Sequence, residues 1–222
     1  METSCEEKLK DIHSKLKIGY GNFNDEYPEQ LMSVRYLTGN EKVLEIGSNI
    51  GRNSLIISHI LSLKNNNNFV TLESDTDIAK IAEYNRDLNN MNFHIENAAL
   101  SKRKLIQKGW DTICSDDLLD GYKNVNTITF KELLDKYNIE FDTLVLDCEG
   151  AFYYILMDMP EILDNINLII MENDYHNTDH KRYIDTILIN NGFYVDYTEK
   201  GTPLAFQIFP DMCNNFYEVW KR

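Results

Sequence analysis

Val43-Leu-Glu-Ile-Gly-Ser-Asn-Ile-Gly-Arg-Asn53 is the stretch on which the fold turns. Val43 to Ile46 reads as a short strand, which runs into a Glu-x-Gly-x-x-x-Gly turn, and a helical pattern follows at once. A strand that turns through glycine into a helix has the shape of a nucleotide-cofactor loop, because a bare backbone lets a ligand approach closely. Gly47 and Gly51 lie four apart, so the run lacks the Gly-x-Gly-x-x-Gly spacing that seats a dinucleotide pyrophosphate on a helix N-terminus. A cofactor without phosphates at the turn fits this spacing better.

The chain around this turn has 222 residues, 43% of them hydrophobic, enough to bury a core in a single domain over 1–222. Within it, 1–40 reads as an N-terminal helical cap over the site, with Leu9, Ile12 and Leu16 and then Leu31, Val34 and Leu37 at helical spacing, and 41–222 as the core. Lys and Arg number 22 against 36 Asp and Glu. The resulting net charge of -14 repels phosphate backbones and anionic lipid, which argues against nucleic acid and membrane partners. No long apolar run and no apolar leader is present, so a cytoplasmic location is expected. Cys5, Cys114, Cys148 and Cys213 are scattered without a Cys-x-x-Cys pair, and reduced thiols without structural zinc are expected.

Outward from the turn, strands and helices alternate. A helix is predicted over 52–63, a strand over 69–72, a helix over 76–90 and a strand over 92–96. Residues 101–127 are polar and irregular, hold Trp110 and Gly121, and read as the substrate loop. A capping box at Thr129 and Glu132 starts the next helix. A strand over 142–146, a short helix from about 151, a strand over 168–172 and a helix over 179–190 stopped by Gly192 follow. Phe193 to Thr198 and Phe216 to Trp220 then close the sheet as a hairpin-like pair. The fold class is α/β, a mostly parallel sheet covered by helices on both faces.

Ligands of such sheets bind outside the carboxyl ends of the strands, which selects the candidate residues. Glu73 ends the second strand, where a carboxylate can accept bonds from both hydroxyls of a ribose. Glu45, inside an apolar strand, needs a partner and could orient an ammonium group. Asn97 and Ala98 follow the third strand, and Asn97 could bond adenine. The fourth strand ends in Asp147-Cys-Glu149-Gly, which makes Asp147 the leading catalytic candidate. The fifth ends in Glu172-Asn-Asp174, followed by Tyr175 and His176, and His176 could act as a base near neutral pH. Asp147, Glu172 and Asn173 are oxygen donors that could hold Mg²⁺, although a hydrogen-bonded cluster without metal is the favoured reading. His180 could join His176 only if a helix begins by His176, and Met157 and Met159 beside Phe152 look like core packing.

The order of these motifs resembles the FkbM-type S-adenosylmethionine-dependent methyltransferases, over about residues 40–200. The specific part is Thr127-Ile-Thr-Phe-Lys-Glu-Leu-Leu, Phe141-Asp-Thr-Leu-Val-Leu-Asp-Cys-Glu-Gly-Ala, Leu168-Ile-Ile-Met-Glu and Asn191-Gly-Phe. The resemblance implies a Rossmann-like class I methyltransferase sheet with an antiparallel final strand. S-adenosylmethionine also suits the phosphate-free turn, since its amino acid end and ribose lie where NAD places its pyrophosphate. On this resemblance Glu45, Gly47, Asn49 and Gly51 are the methionine-side turn, Glu73 the ribose ligand, Asn97 and Ala98 the adenine border, and Asp147 and Glu149 the active-site carboxylates. It implies an O-methyltransferase for a hydroxyl of a sugar, glycan or small metabolite, with Asp147 or His176 as base. Ser48, the run Glu73-Ser-Asp and residues 103–126 depart from the family's pattern and leave the acceptor to be found in 101–127 and the N-terminal cap. An RNA or protein methyltransferase is opposed by the charge and by the lack of an Asn-Pro-Pro-Tyr type motif. A non-catalytic cofactor-binding scaffold is opposed by the intact set Glu45, Gly51, Glu73 and Asp147.

Overall fold

The computed structural model describes residues 4–222, so the polar start Met1 to Thr3 lies outside the described residues. Ser4 caps α1 (Cys5–Lys15) in a reciprocal box with Glu7, and α2 (Tyr27–Tyr36) begins with proline in its first turn. β1 (Val43–Ile46) is buried along its whole length and leads through Gly47 and Gly51 into α3 (Arg52–Ser62). β2 (Phe69–Leu72) leads into α4 (Thr76–Leu88), whose first turn is held by the Asp75 carboxylate accepting from the Asp77 and Ile78 N–H groups. β3 (His94–Glu96) closes the first half.

The segment expected to be an irregular loop is built of strands. β4 (Ala99–Leu100) pairs in parallel with β8 (Thr127–Ile128). Between them β5 (Leu105–Lys108) pairs antiparallel with both β6 (Asp111–Cys114) and β7 (Lys123–Val125), a small three-stranded flap. Its strands read Leu-Ile-Gln-Lys, Asp-Thr-Ile-Cys and Lys-Asn-Val, which lack the polar–apolar alternation of a strand and are too short to announce one. The flap is held by pairing with itself, with Ile106 and Gln107 of β5 as its buried residues.

The chain then returns to the middle. α5 (Phe130–Tyr137) carries the expected Thr129–Glu132 capping box, and β9 (Thr143–Leu146) is fully buried. α6 (Phe152–Asp158), β10 (Leu168–Glu172), α7 (Thr178–Asn190), β11 (Tyr194–Glu199), α8 (Pro203–Ile208) and β12 (Tyr217–Lys221) follow. Gly192, at φ +84°, ends α7 in the left-handed geometry that glycine adopts without strain. Met159 is fully buried as expected, whereas Met157 is exposed.

Seven strands form the main sheet in the order β11-β12-β10-β9-β1-β2-β3. Numbered along the chain within this sheet alone, that order is 6-7-5-4-1-2-3. β3, β2, β1, β9 and β10 run in parallel, and β12 lies antiparallel to β10 and β11. The expected mostly parallel α/β sheet with an antiparallel final strand is therefore present, although α8 interrupts what sequence suggested as a hairpin-like pair. Leu44, Leu144 and Ile169 in the central strands have no exposed surface, and each such side chain contributes roughly 1.5–3 kcal/mol relative to exposure.

The strand order reverses between β1 and β9, and there the strand ends touch. Gly47 follows β1 at φ +92°, and a Cβ on it would lie 1.6 Å from the Asp147 carbonyl oxygen after β9. The glycine is required twice over, by its dihedral and by the backbone beside it. Gly47→Ala is expected to cost more than about 2 kcal/mol in urea-induced unfolding. A loss below about 0.5 kcal/mol, the scale of an ordinary surface substitution, would show that the two strand ends part freely.

Candidate functional site

The turn after β1 is laced to its neighbours by backbone bonds. The Gly47 and Ser48 N–H groups both donate to the Leu72 carbonyl at 3.0 Å, and the Asp147 N–H donates to the Ile46 carbonyl at 3.1 Å. Glu73 is fixed from two sides: its Oε2 accepts from the Asn49 N–H at 2.9 Å and its Oε1 from the Asp75 N–H at 2.8 Å. A carboxylate has about four acceptor directions, so both oxygens retain capacity for a ligand. Burial holds the Glu73 carboxyl above its usual range, and these backbone donors pull it back.

These strand ends open into a cavity of about 470 Å³. That is the size of a pocket for a small-molecule ligand. Of the cofactor residues named from sequence, Gly47, Asn49, Glu73 and Ala98 line it, and so do the catalytic candidates Asp147 and Glu149. Glu149 holds a left-handed backbone at φ +52°, an uncommon state for a residue with a side chain. Gly150 beside it donates its N–H to the buried Asp174 carboxylate at 2.9 Å, which fixes the turn. Burial, reinforced by Glu149, lifts the Asp174 carboxyl to about 7. Burial also pushes the Cys148 thiol well up, so no thiolate nucleophile stands on this wall.

Other candidates lie elsewhere. Asn97 is a clamp between strand ends, donating to the Glu73 carbonyl at 2.9 Å and accepting from the Thr76 hydroxyl at 2.8 Å, and it does not line the cavity. Gly51 serves to start α3. Glu45 is 2% exposed, takes a short bond from the Ser54 hydroxyl and faces a separate small void. His176 is exposed with its ring 4.6 Å from Phe209, outside the cavity lining. α7 begins at Thr178, after His176, and His180 stacks on Tyr153 at 3.8 Å, so the two histidines share no helical turn.

The metal set is also redrawn. Asp147 and Glu172 do come together, but their third companion is Glu29 of α2, with oxygens of all three within 4.8 Å of one another. Asn173 is turned away, donating its amide to the Asn215 carbonyl at 2.6 Å. Burial, with Glu29 and Glu26 nearby, pushes the Asp147 carboxyl well up, and burial beside Asp147 does the same to Glu172. Glu29 escaped sequence reading because α2 buries Glu29, Gln30, Met32 and Ser33, a mainly polar face, while the apolar Leu31 and Val34 are only half-buried. No residue of 4–40 lines the large cavity, so the N-terminal helices are not a cap over its mouth; α2 packs on α3, β10 and β12.

The other half of the cavity comes from the flap and α6. Trp110, 59% exposed, stands at its rim, with Thr112, Ile113 and Cys114 beside it. Arg103 grips Asp158 through two bonds of 2.6 and 2.9 Å and lies over the Tyr154 ring at 4.9 Å. Gln107, buried on β5, accepts from the Ser74 hydroxyl at 3.2 Å and ties the flap to the end of β2. Of these only Trp110 stood out in the sequence, as an aromatic in a polar stretch.

No protein-family model matches the sequence, and no curated protein is matched by it. Solved structures share the fold. An O-methyltransferase from Bacillus cereus in complex with S-adenosylhomocysteine superposes with a TM-score of 0.52 at 13% identity, over 99% of this chain and 90% of that one. A methyltransferase FkbM from Methylobacillus flagellatus gives 0.57 at 12% identity, over 96% of this chain and 58% of that one. A ribosomal protein L11 methylase from Lactobacillus delbrueckii gives 0.52 at 14%, over 91% and 79%. The chain thus has the Rossmann-like α/β methyltransferase fold. Among the described residues, no helix is long and apolar enough to cross a membrane.

Glu45 makes the buried charge measurable. Burial lifts its carboxyl from 4.5 to about 7, against the bond from Ser54. A raised folded-state value means stability that is complete below about pH 4.5 and is lost as pH rises through about 7. In chelator-containing buffer the melting temperature is expected to fall from pH 5 to pH 8, and Glu45→Gln to flatten that fall. An equally steep profile in the variant would remove Glu45 as its source.

Proposed function

We propose that the chain is an S-adenosylmethionine-dependent O-methyltransferase acting on a hydroxyl of a sugar, glycan or small metabolite. The observation that carries this reading is the continuity of one cavity from the Gly47 turn and Glu73 to the carboxylates Asp147 and Glu149 beneath the flap. The residues fit the cofactor. Gly47 leaves its wall bare where any side chain would strike Asp147, and Glu73 presents fixed carboxylate oxygens to a ribose diol. Ala98, with no long side chain, borders the space for a flat base.

When bound, S-adenosylmethionine supplies an electrophilic methyl group on a sulfonium sulfur. The chain's task is to hold an acceptor oxygen in line with that methyl group and to take the hydroxyl proton. Asp147, once ionised, is the proposed proton acceptor, and Glu149 lines the same wall. Trp110 and Tyr154 offer apolar ring faces, and the Arg103–Asp158 pair offers hydrogen-bonding groups beside them. That mixture suits a sugar, which has an apolar ring face and hydroxyls at its edge. The net charge of -14 supports a neutral acceptor over a polyanion.

Calorimetry with S-adenosylhomocysteine is expected to show one site, and Glu73→Ala to weaken it by at least about tenfold, the scale of a lost charge-assisted hydrogen bond. Unchanged affinity in the variant would remove the ribose assignment, and absence of binding by the native chain would remove the cofactor. Asp147→Asn is expected to lower turnover about 10²–10⁴-fold, the range for a lost general base. The acceptor is found by mass spectrometry of a glycan and metabolite panel incubated with isotopically labelled S-adenosylmethionine. Methylation of only RNA or protein acceptors in parallel incubations would overturn the proposed acceptor class.

A further inference from the structure

We propose that Glu29, Asp147 and Glu172 form a buried site for one hard divalent cation, behind the wall where Gly47 meets Asp147. The three come from separate parts of the chain: the first turn of α2, the end of β9 and the last residue of β10. Each offers an oxygen within 4.8 Å of the others. Between them lies a void of about 10 Å³, lined also by Glu26 and Glu45. That is close to the room needed by one water molecule or ion.

Two observations favour a cation over a purely protonated cluster. Glu29 is 6% exposed, and its Oε2 has no hydrogen-bond partner. Its neighbours Asp147 and Glu172 are acceptors too when ionised, so a bound cation removes the cost that attends a buried orphan acceptor. Second, among the described residues no Lys, Arg or His pairs with any of the three. The nearby Arg52 is engaged by Glu26 at 2.7 Å and Asp25 at 3.0 Å. Buried carboxylates without a positive partner are the arrangement that a bound cation relieves.

The donors are all oxygen, with no Cys or His in the set, which selects hard cations. Oxygen ligands lie about 2.3–2.6 Å from calcium and about 2.0–2.1 Å from magnesium, so three oxygens within 4.8 Å of one another make either ion a candidate. This inference does not rest on the methyltransferase reading. The site shares only Gly47 and Asp147 with the large cavity.

The test uses the full chain, stripped with EDTA and desalted. Mn²⁺ titration followed by electron paramagnetic resonance is expected to show one tight equivalent, displaced by an excess of Ca²⁺ or Mg²⁺. Glu29→Gln and Glu172→Gln, each nearly isosteric, are expected to weaken Mn²⁺ binding by at least about tenfold. Ca²⁺ is expected to raise the melting temperature of the native chain and not of either variant. No saturable binding by the native chain, or equal binding by a variant whose circular dichroism shows it folded, would overturn the site. Were both variants to fail to fold, the native stoichiometry and its Ca²⁺-dependent melting would decide alone.

Discussion

Everything at the working edge of this molecule depends on the contact between the Gly47 turn and the Asp147 backbone. Parallel pairing of β1 with β9 brings two strand ends level, with Val43 opposite Thr143 and Ile46 opposite Leu146. Chain direction then diverges on either side, so a crevice opens where no loop covers the sheet. The absence of a side chain at residue 47 sets how tightly that crevice closes at its floor. The same point divides two environments: a roomy cavity on one side, and a minute void walled by carboxylates on the other.

The sheet was legible because its strands are apolar on both faces and separated by helices with clear start signals. Val43–Ile46, Phe69–Leu72 and Leu168–Glu172 lie where their hydropathy places them. Caps written in the sequence, such as Thr129 with Glu132, appear as hydrogen bonds. The flap was not legible, because strands paired only to each other need no apolar face and carry no strong periodicity. α2 misled for the opposite reason. Its buried surface is polar, and Gln30 and Ser33 are satisfied by specific partners that no hydropathy pattern encodes: His13 with two backbone carbonyls, and Asn53.

Within the site, position along a strand was a better guide than chemical type. Glu73, Asp147 and Glu149 stand at strand ends and reach the cavity. Asn97 also stands at a strand end, yet its amide is consumed in joining β2 to β3. An amide can bond in two directions, so nearby backbone groups capture it readily. Glu29 and Asp174 act through the fold, from an N-terminal helix and from the strand beyond, and only three-dimensional proximity gives them meaning.

The way the flap is attached has a consequence for how such chains diversify. Its first and last residues are held side by side by the β4–β8 pair, where Ala99 N–H bonds Asn126 O at 2.8 Å and Ser101 N–H bonds Ile128 O at 3.0 Å. Entry and exit are therefore one strand spacing apart, and the chain from 101 to 126 is an insert joined to the rest of the fold by a few side-chain ties such as Gln107 to Ser74 and Arg103 to Asp158. Such a cassette can be lengthened, shortened or replaced while the floor of the cavity stays as it is. Selection can then retarget the roof without refolding the house.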